Sequence, residues 1–232
     1  MEQQKLKVEI WSDVMCPFCY IGKRRFENAL QEFEHKDEVE IIWKSYQLDP
    51  SMKNNTGISL YHYLAERKGI TLEQSAQMHD QMTAMASELG IVYNFDKAVI
   101  ANSFDAHRLS HLAKASGLQD KLEEALFKAY FTEGKNVADY DTLLKIGTAV
   151  GLEAESVKQV LNGKQYAEEV KHDIYEANQI GVRGVPYFVL GDKYAVSGAQ
   201  HSETFLGALN QTWQENQPVS IDGPVCGPDG NC

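Results

Sequence analysis

The sequence predicts an α/β fold: a strand–helix–strand unit, a large all-helical insertion, then a hairpin with one more helix. Three features predict it. Leu6, Val8 and Ile10 alternate with Lys5, Lys7 and Glu9, the period-two signature of a strand. From residue 57 to residue 180 the apolar patterning is helical, with no strand-like segment. Strand-like composition returns late, at Pro186, Tyr187, Phe188, Val189 and Leu190.

Taken in order, residues 5–11 form the first strand, and residues 20–33 an amphipathic helix carrying Ile21, Phe26, Ala29, Leu30 and Phe33. Residues 39–46, with Val39, Ile41, Ile42 and Trp43, form a second strand that completes a βαβ unit. Residues 57–68 read as helix. Thr71, with Gln74 three positions on, is a capping box that opens another helix running to about residue 89. Leu109, Leu112 and Ala113 share one face of a helix over 103–116. Leu122, Ala125, Leu126, Ala129 and Tyr130 form the stripe of the next. Residues 140–150, 155–161 and 165–180 are shorter helices, parted by Gly151-Leu152 and Asn162-Gly163. Gly191-Asp192 turns the late strand back into a partner over 193–196, and Ser202 caps a final helix to residue 215. The domain boundaries follow. Segments 1–56 and 164–216 are two parts of one α/β unit, and 57–163 is an inserted helical domain. Residues 217–232 are a Pro- and Gly-rich tail, expected to be flexible.

The bulk properties exclude several functions. With 232 residues and 43% hydrophobic content, the chain can bury a sizeable core. A net charge of −11, spread along the chain, disfavours nucleic acid and anionic membrane surfaces as partners. No apolar run approaches the roughly 20 residues of a membrane span. Residues 1–7 are polar and lack the apolar core of a signal peptide, so the expected location is cytoplasmic. Oligomeric state is not legible. Four cysteines are too few for a disulfide-stapled secreted fold. They fall in two local pairs, Cys16/Cys19 and Cys226/Cys232, which points to redox or metal chemistry.

Cys16-Pro17-Phe18-Cys19 follows the first strand and opens the first helix, the setting of a thioredoxin-like redox motif. There the leading thiol meets the unpaired N–H groups and positive dipole end of the helix, which favour thiolate. Cys16 is the expected nucleophile. Cys19, one turn in and more buried, is the expected resolving thiol, and Pro17 suits the first helical turn. Val185-Pro186, directly before the late strand, is a candidate cis peptide. In a thioredoxin-like fold its backbone would face the dithiol and pair with an extended substrate. Pro17, Phe18, Val185 and Pro186 are therefore candidate substrate-binding residues.

The string Trp11-Ser12-Asp13-Val14-Met15-Cys16-Pro17-Phe18-Cys19-Tyr20-Ile21-Gly22 resembles the DsbA family of thioredoxin-like proteins, and within it the FrnE-like branch. Asn102-Ser103-Phe104-Asp105-Ala106-His107-Arg108-Leu109 and Gly181-Val182-Arg183-Gly184-Val185-Pro186 share the resemblance, which spans about residues 5–215 in order. It implies a thioredoxin fold with an inserted helical domain, and thiol–disulfide oxidoreductase activity on protein or small-thiol substrates. No cofactor beyond the redox-active cysteines is implied, with glutathione a candidate co-substrate. The reductase or isomerase direction is expected in a reducing cytosol.

Two alternatives stand beside this reading. One is a glutathione-dependent isomerase or transferase of the 2-hydroxychromene-2-carboxylate isomerase or kappa-class type. Those relatives typically carry serine at the position of Cys16 and a Gly-Ser-Asp-Arg type segment where this chain has Gly198-Ala199-Gln200-His201. The other is a thiol-based chaperone or metal-binding module. His107 and His111 sit i, i+4 on one helix, yet the bases and further ligands of a metal site are lacking, so no metal is expected. His107 is instead expected to line the domain cleft as a substrate contact. Cys226 and Cys232, with five residues between them in a Gly- and Pro-rich loop, are candidate accessory redox thiols. They could equally pair only with each other; a third reading joins them with Cys16 and Cys19 as a four-sulfur metal site, which would block exchange.

Overall fold

Strand β1 (Leu6–Ser12) buries Leu6, Val8 and Ile10 and forms the centre of a four-stranded sheet of order β2-β1-β3-β4. The computed structural model describes residues 5–54 and 57–216. Strand β2 (Val39–Ser45) runs parallel to β1, with Leu6 opposite Val39 and Ser12 opposite Ser45. Parallel neighbours need a crossover, which helix α1 (Pro17–Glu32) supplies. Strand β3 (Tyr187–Leu190) is antiparallel to β1 and turns back into β4 (Tyr194–Ser197). Helix α9 (Ser202–Asn216) packs with α1 on one face of the sheet.

The insertion is α2 (Leu60–Lys68), α3 (Leu72–Ser87), α4 (Phe104–Ala115), α5 (Gln119–Phe127), α6 (Tyr140–Val150) and α7 (Ala154–Asn162). Among the described residues between 57 and 163 there is no strand. The Thr71/Gln74 capping box forms in both directions. Helix α5 continues into a π-helical turn, Lys128–Thr132, that buries Ala129, Tyr130 and Phe131. Helix α8 (Ala167–Gln179) then packs against β2 and leads back to the sheet.

Several boundaries differ from expectation for local reasons. Helix α1 starts at Pro17 rather than residue 20, because proline's missing N–H costs nothing at a first helical position. The first inserted helix starts at Leu60, where the Ser59 side chain accepts from the His62 N–H. Ser202 is the first residue of α9, not its cap. The His201 carbonyl takes the first helical bonds, from the N–H groups of Thr204 and Phe205.

Most of the buried apolar side chains of the sheet, α1, α9 and the inserted helices form one continuous cluster, while Trp11 of β1 packs in a second, small one with Ala177 and Val182. Beneath the sheet, the Phe188 ring lies 5.5 Å from that of Phe26 and 4.6 Å from that of Phe205. Nearer the start of α1, Tyr20 stacks on Phe127 at 5.1 Å, so the residue after Cys19 is anchored in the inserted helices. The periodicity of α1 does not show that Lys23 is 2% exposed. Its ammonium is held by Glu27 on α1 and by Asp120 (3.4 Å) and Glu124 (3.2 Å) on α5. A buried lysine is tolerable only with such partners, so this contact ties α1 to the insertion.

Candidate active site

The loop from β1 to α1 ends in Cys16, whose extended backbone (φ −94°, ψ 114°) makes it the N-cap of α1. Its side chain caps nothing. Its thiol instead donates to the Val185 carbonyl, with Sγ and O 3.5 Å apart across 169 residues of sequence. The Val185–Pro186 peptide is cis. Cys16 is 3% exposed and Cys19 is 0%, and both are free thiols. Burial, reinforced by the adjacent Cys16 sulfur, pushes the Cys19 thiol well above the ordinary thiol range.

Asp13 shapes the loop that presents Cys16. Its carbonyl accepts the Cys16 N–H at 2.9 Å, and its carboxylate accepts the N–H of Met15 (3.1 Å) and of Leu48 (2.8 Å). From the insertion, the Tyr93 hydroxyl donates to the Pro17 carbonyl at 2.6 Å. Gly22, one turn past Cys19, is where α1 meets the Pro186 loop: an added Cβ would stand 2.8 Å from Pro186 Cγ.

Cys16, Pro17 and Phe18 border a cleft of about 380 Å³ between the start of α1 and helices α2 and α3. The π-helical turn supplies Tyr130 and Phe131 to its wall, and Met52, Met78 and Met82 line it. Thioether side chains adapt their shape to varied apolar partners. Phe18, 40% exposed, stands at the rim. Arg67 lies on the same wall, paired with Asp49 and donating to the Leu48 carbonyl at 3.0 Å. A larger, shallower depression of about 660 Å³, lined by Lys44, His111 and Asp173, contains neither cysteine.

The structure thus brings Cys16, Cys19, Pro17, Phe18 and Val185 together. His107 is placed otherwise than expected. It is buried beside Asp13, Nε2 to Oδ1 3.7 Å, and is absent from the residues lining the cleft. Burial pulls its pKa down, but the Asp13 carboxylate, with Glu123 and Asp173 behind it, outweighs this and holds it above the ordinary histidine value. His111 turns to Asp173 Oδ2 (2.9 Å) and Ser45 Oγ (3.2 Å), so the two histidines of α4 do not converge. Cys226 and Cys232 lie outside the described residues. Asp13 and Gly22 fall inside the string that carries the resemblance, which gives neither a role of its own, and Tyr93 carries no signal that periodicity or motif spacing could detect, since it acts across a tertiary contact.

Among the described residues no helix is long and apolar enough to cross a membrane. Residues 7–210 match the model of the DSBA-like thioredoxin domain. The chain is similar to the probable DsbA oxidoreductase SCO1869 from Streptomyces coelicolor. The identity is 40%, the TM-score 0.86, and 97% of each chain is covered. It is 29% identical over 208 residues to the protein YwbO of Bacillus subtilis (strain 168), covering 88% of this chain and 95% of that one. The cytosolic disulfide reductase DsbM from Pseudomonas aeruginosa has the same fold, at 19% identity and TM-score 0.60, over 91% of this chain and 98% of that one. With a dithiol at the start of α1, a cis-proline loop against it and helices inserted between them, the chain belongs to the DSBA-like thioredoxin domain family.

Proposed function

We propose that this protein is a thiol–disulfide oxidoreductase. The observation that carries the reading is the asymmetry of the two thiols. Cys16 Sγ sits at the helix N-terminus on the cleft, while Cys19 lies fully buried behind it. In the reducing direction the Cys16 thiolate attacks a substrate disulfide, forming a mixed disulfide and releasing one substrate thiolate. Cys19 then attacks Cys16 Sγ, breaking the mixed disulfide. The second substrate thiolate leaves and Cys16–Cys19 remains as a disulfide. The same steps in reverse oxidise a substrate dithiol. The cleft beside Cys16 and the backbone at Val185 support binding of an extended segment flanking the half-cystine.

The reductase or isomerase direction and a cytoplasmic setting are part of the proposal, supported by the fold shared with a cytosolic disulfide reductase. Glutathione is the proposed small-thiol partner, supported by the structure of that reductase with GSH. Insulin reduction tests the assignment. Cys16→Ser is expected to abolish turnover. Cys19→Ser is expected to stop after the first step and accumulate a substrate-linked species by mass spectrometry. Full activity in Cys16→Ser would falsify the assignment.

A further inference from the structure

The cleft beside Cys16 is rich in sulfur that disulfide exchange does not use. Four of the chain's six methionines line it: Met15, Met52, Met78 and Met82. Two of them stand on α3, and His79 joins them on the wall. At about 100° per residue, positions 78, 79 and 82 fall within about 100° of one another around the helix axis. One face of α3 therefore carries two thioethers and an imidazole to the same cleft.

His79 is set as an acceptor. Its Nδ1 lies 2.7 Å from the Ser75 carbonyl oxygen. A carbonyl can only accept, so Nδ1 carries the proton and Nε2 the lone pair. Nε2 has no hydrogen-bond partner among the described residues. The ring is fixed between those of Tyr61 (4.5 Å) and Phe95 (4.6 Å), and burial holds its pKa below the ordinary histidine value, which keeps it neutral. An imidazole whose other nitrogen donates to a backbone carbonyl is the arrangement that metal-bound histidines show. The carboxylates of the wall are already engaged. Asp13 takes the N–H groups of Met15 and Leu48, and Asp49 is held by Ser51, Tyr63 and Arg67. Apart from the dithiol, the donors left for a metal are thioether sulfur, one imidazole nitrogen and the Tyr130 hydroxyl, which burial keeps protonated. Soft, uncharged donors of this kind select monovalent copper, whereas calcium and magnesium need oxygen ligands and zinc sites are built on thiolate, imidazole and carboxylate.

We propose that Met78, His79 and Met82 of α3, with Met52 from the loop after β2, form a binding site for monovalent copper. The loop that brings Met52 is pinned, because the Asn102 side-chain amide donates to the carbonyls of Pro50 (3.2 Å) and Met52 (3.1 Å). Binding is coordination alone. The ligands are neutral, so no proton is displaced, and the copper keeps its oxidation state. Neither His107 nor His111 takes part. None of the ligands is a cysteine, so the site stands apart from the disulfide-exchange reading. An ion held there fills part of the cleft that Cys16 borders, and copper and an extended substrate compete for that space.

The test uses the full chain with Cys16, Cys19, Cys226 and Cys232 replaced by serine, so that no thiolate supplies the binding. Copper(I) is offered without oxygen as its bicinchoninate complex, whose colour falls as the protein withdraws the metal. Methyl-labelled methionine spectra report which thioethers bind it. The expected result is one ion withdrawn per chain, with shifted methyl signals for Met52, Met78 and Met82. Met85, on α3 but not on the cleft wall, should not shift. Met78→Leu and Met82→Leu keep the volume, and His79→Phe keeps the ring. Each should weaken binding at least about 10-fold, the lower end of the loss when even an outer-shell partner of a metal is removed. No withdrawal by the parent, unchanged affinity in these variants, or equal uptake of zinc(II) would overturn the proposal. If His79→Phe does not fold, the double variant Met78→Leu/Met82→Leu decides, and unchanged affinity there overturns it. Insulin reduction by the native chain without copper tests the exchange reading separately.

Discussion

The Tyr93 hydroxyl, on the segment between α3 and α4, donates to the carbonyl of Pro17, between Cys16 and Cys19, at 2.6 Å. The insertion therefore grips the dithiol loop directly, through the segment that joins α3 to α4. Tyr93 is itself buried, its ring 4.8 Å from that of Phe131 and 5.0 Å from that of Phe95. Burial and the two nearby thiols push its phenol far above the ordinary range, so it remains a donor at any working pH.

Tyr93→Phe keeps the ring and removes the donor. It is expected to cost about 1 kcal/mol of stability, the usual net worth of one buried hydrogen bond. Urea unfolding of the reduced protein, with midpoints compared at equal slope, measures this. No shift would mean that the contact does not hold the loop.

Gly22 places α1 against Pro186. Gly22→Ala puts a methyl 2.8 Å from Pro186 Cγ and 3.5 Å from the Phe188 ring, so either the loop or the helix must move. Overpacking of this kind costs about 1–3 kcal/mol. Because the loop that moves carries the Val185 carbonyl bound by Cys16, insulin reduction should fall along with the melting temperature. Wild-type activity at lowered stability would separate the loop from catalysis.

Asp173 sets an acid limit on stability. Burial would raise its pKa, but His111, the Ser45 N–H (2.8 Å) and Lys44 (3.3 Å) favour the carboxylate and hold it below the ordinary value of 3.8. A depressed carboxylate stabilises the fold above its unfolded pKa, and that contribution is lost as pH falls through the lower folded value. Asp173→Asn should therefore destabilise the protein at neutral pH by about 3 kcal/mol, as expected when one partner of a buried charged group is removed. The gap to wild type should narrow below pH 3.8. Urea midpoints across pH 2 to 7 provide the check, and a constant gap would contradict this account.

The Cys226/Cys232 pair is tested by removing it. If the tail thiols pass electrons to the active site, deleting residues 225–232 should slow re-reduction of oxidised Cys16–Cys19 by a small thiol. Stopped-flow tryptophan fluorescence follows that reaction. An unchanged rate would leave the pair without a redox role.

The sequence by itself determined the order of elements and the place of Cys16 and Cys19 at a strand–helix junction, because both are written in local signals. Alternation at Leu6, Val8 and Ile10, the Thr71/Gln74 capping box and the placement of Cys16 at a strand–helix junction each depend on residues only a few positions apart. Val185-Pro186 was legible as a partner only once the fold class was in hand. Tertiary structure alone decided the rest. Lys23 sits on a helix whose pattern gives it to solvent, yet it is buried because Asp120 and Glu124 arrive from another element to balance its charge. His107 belongs by pattern to a cleft-facing stripe, yet it turns behind Asp13, because the packing of α4 against α5 and α8 surrounds its ring with carboxylates. Short-range spacing records the face a residue occupies on its own element. Which charge, carbonyl or sulfur meets that face is set by elements far away in the chain, 169 positions in the case of Cys16 and Val185, and only the packed chain brings them together.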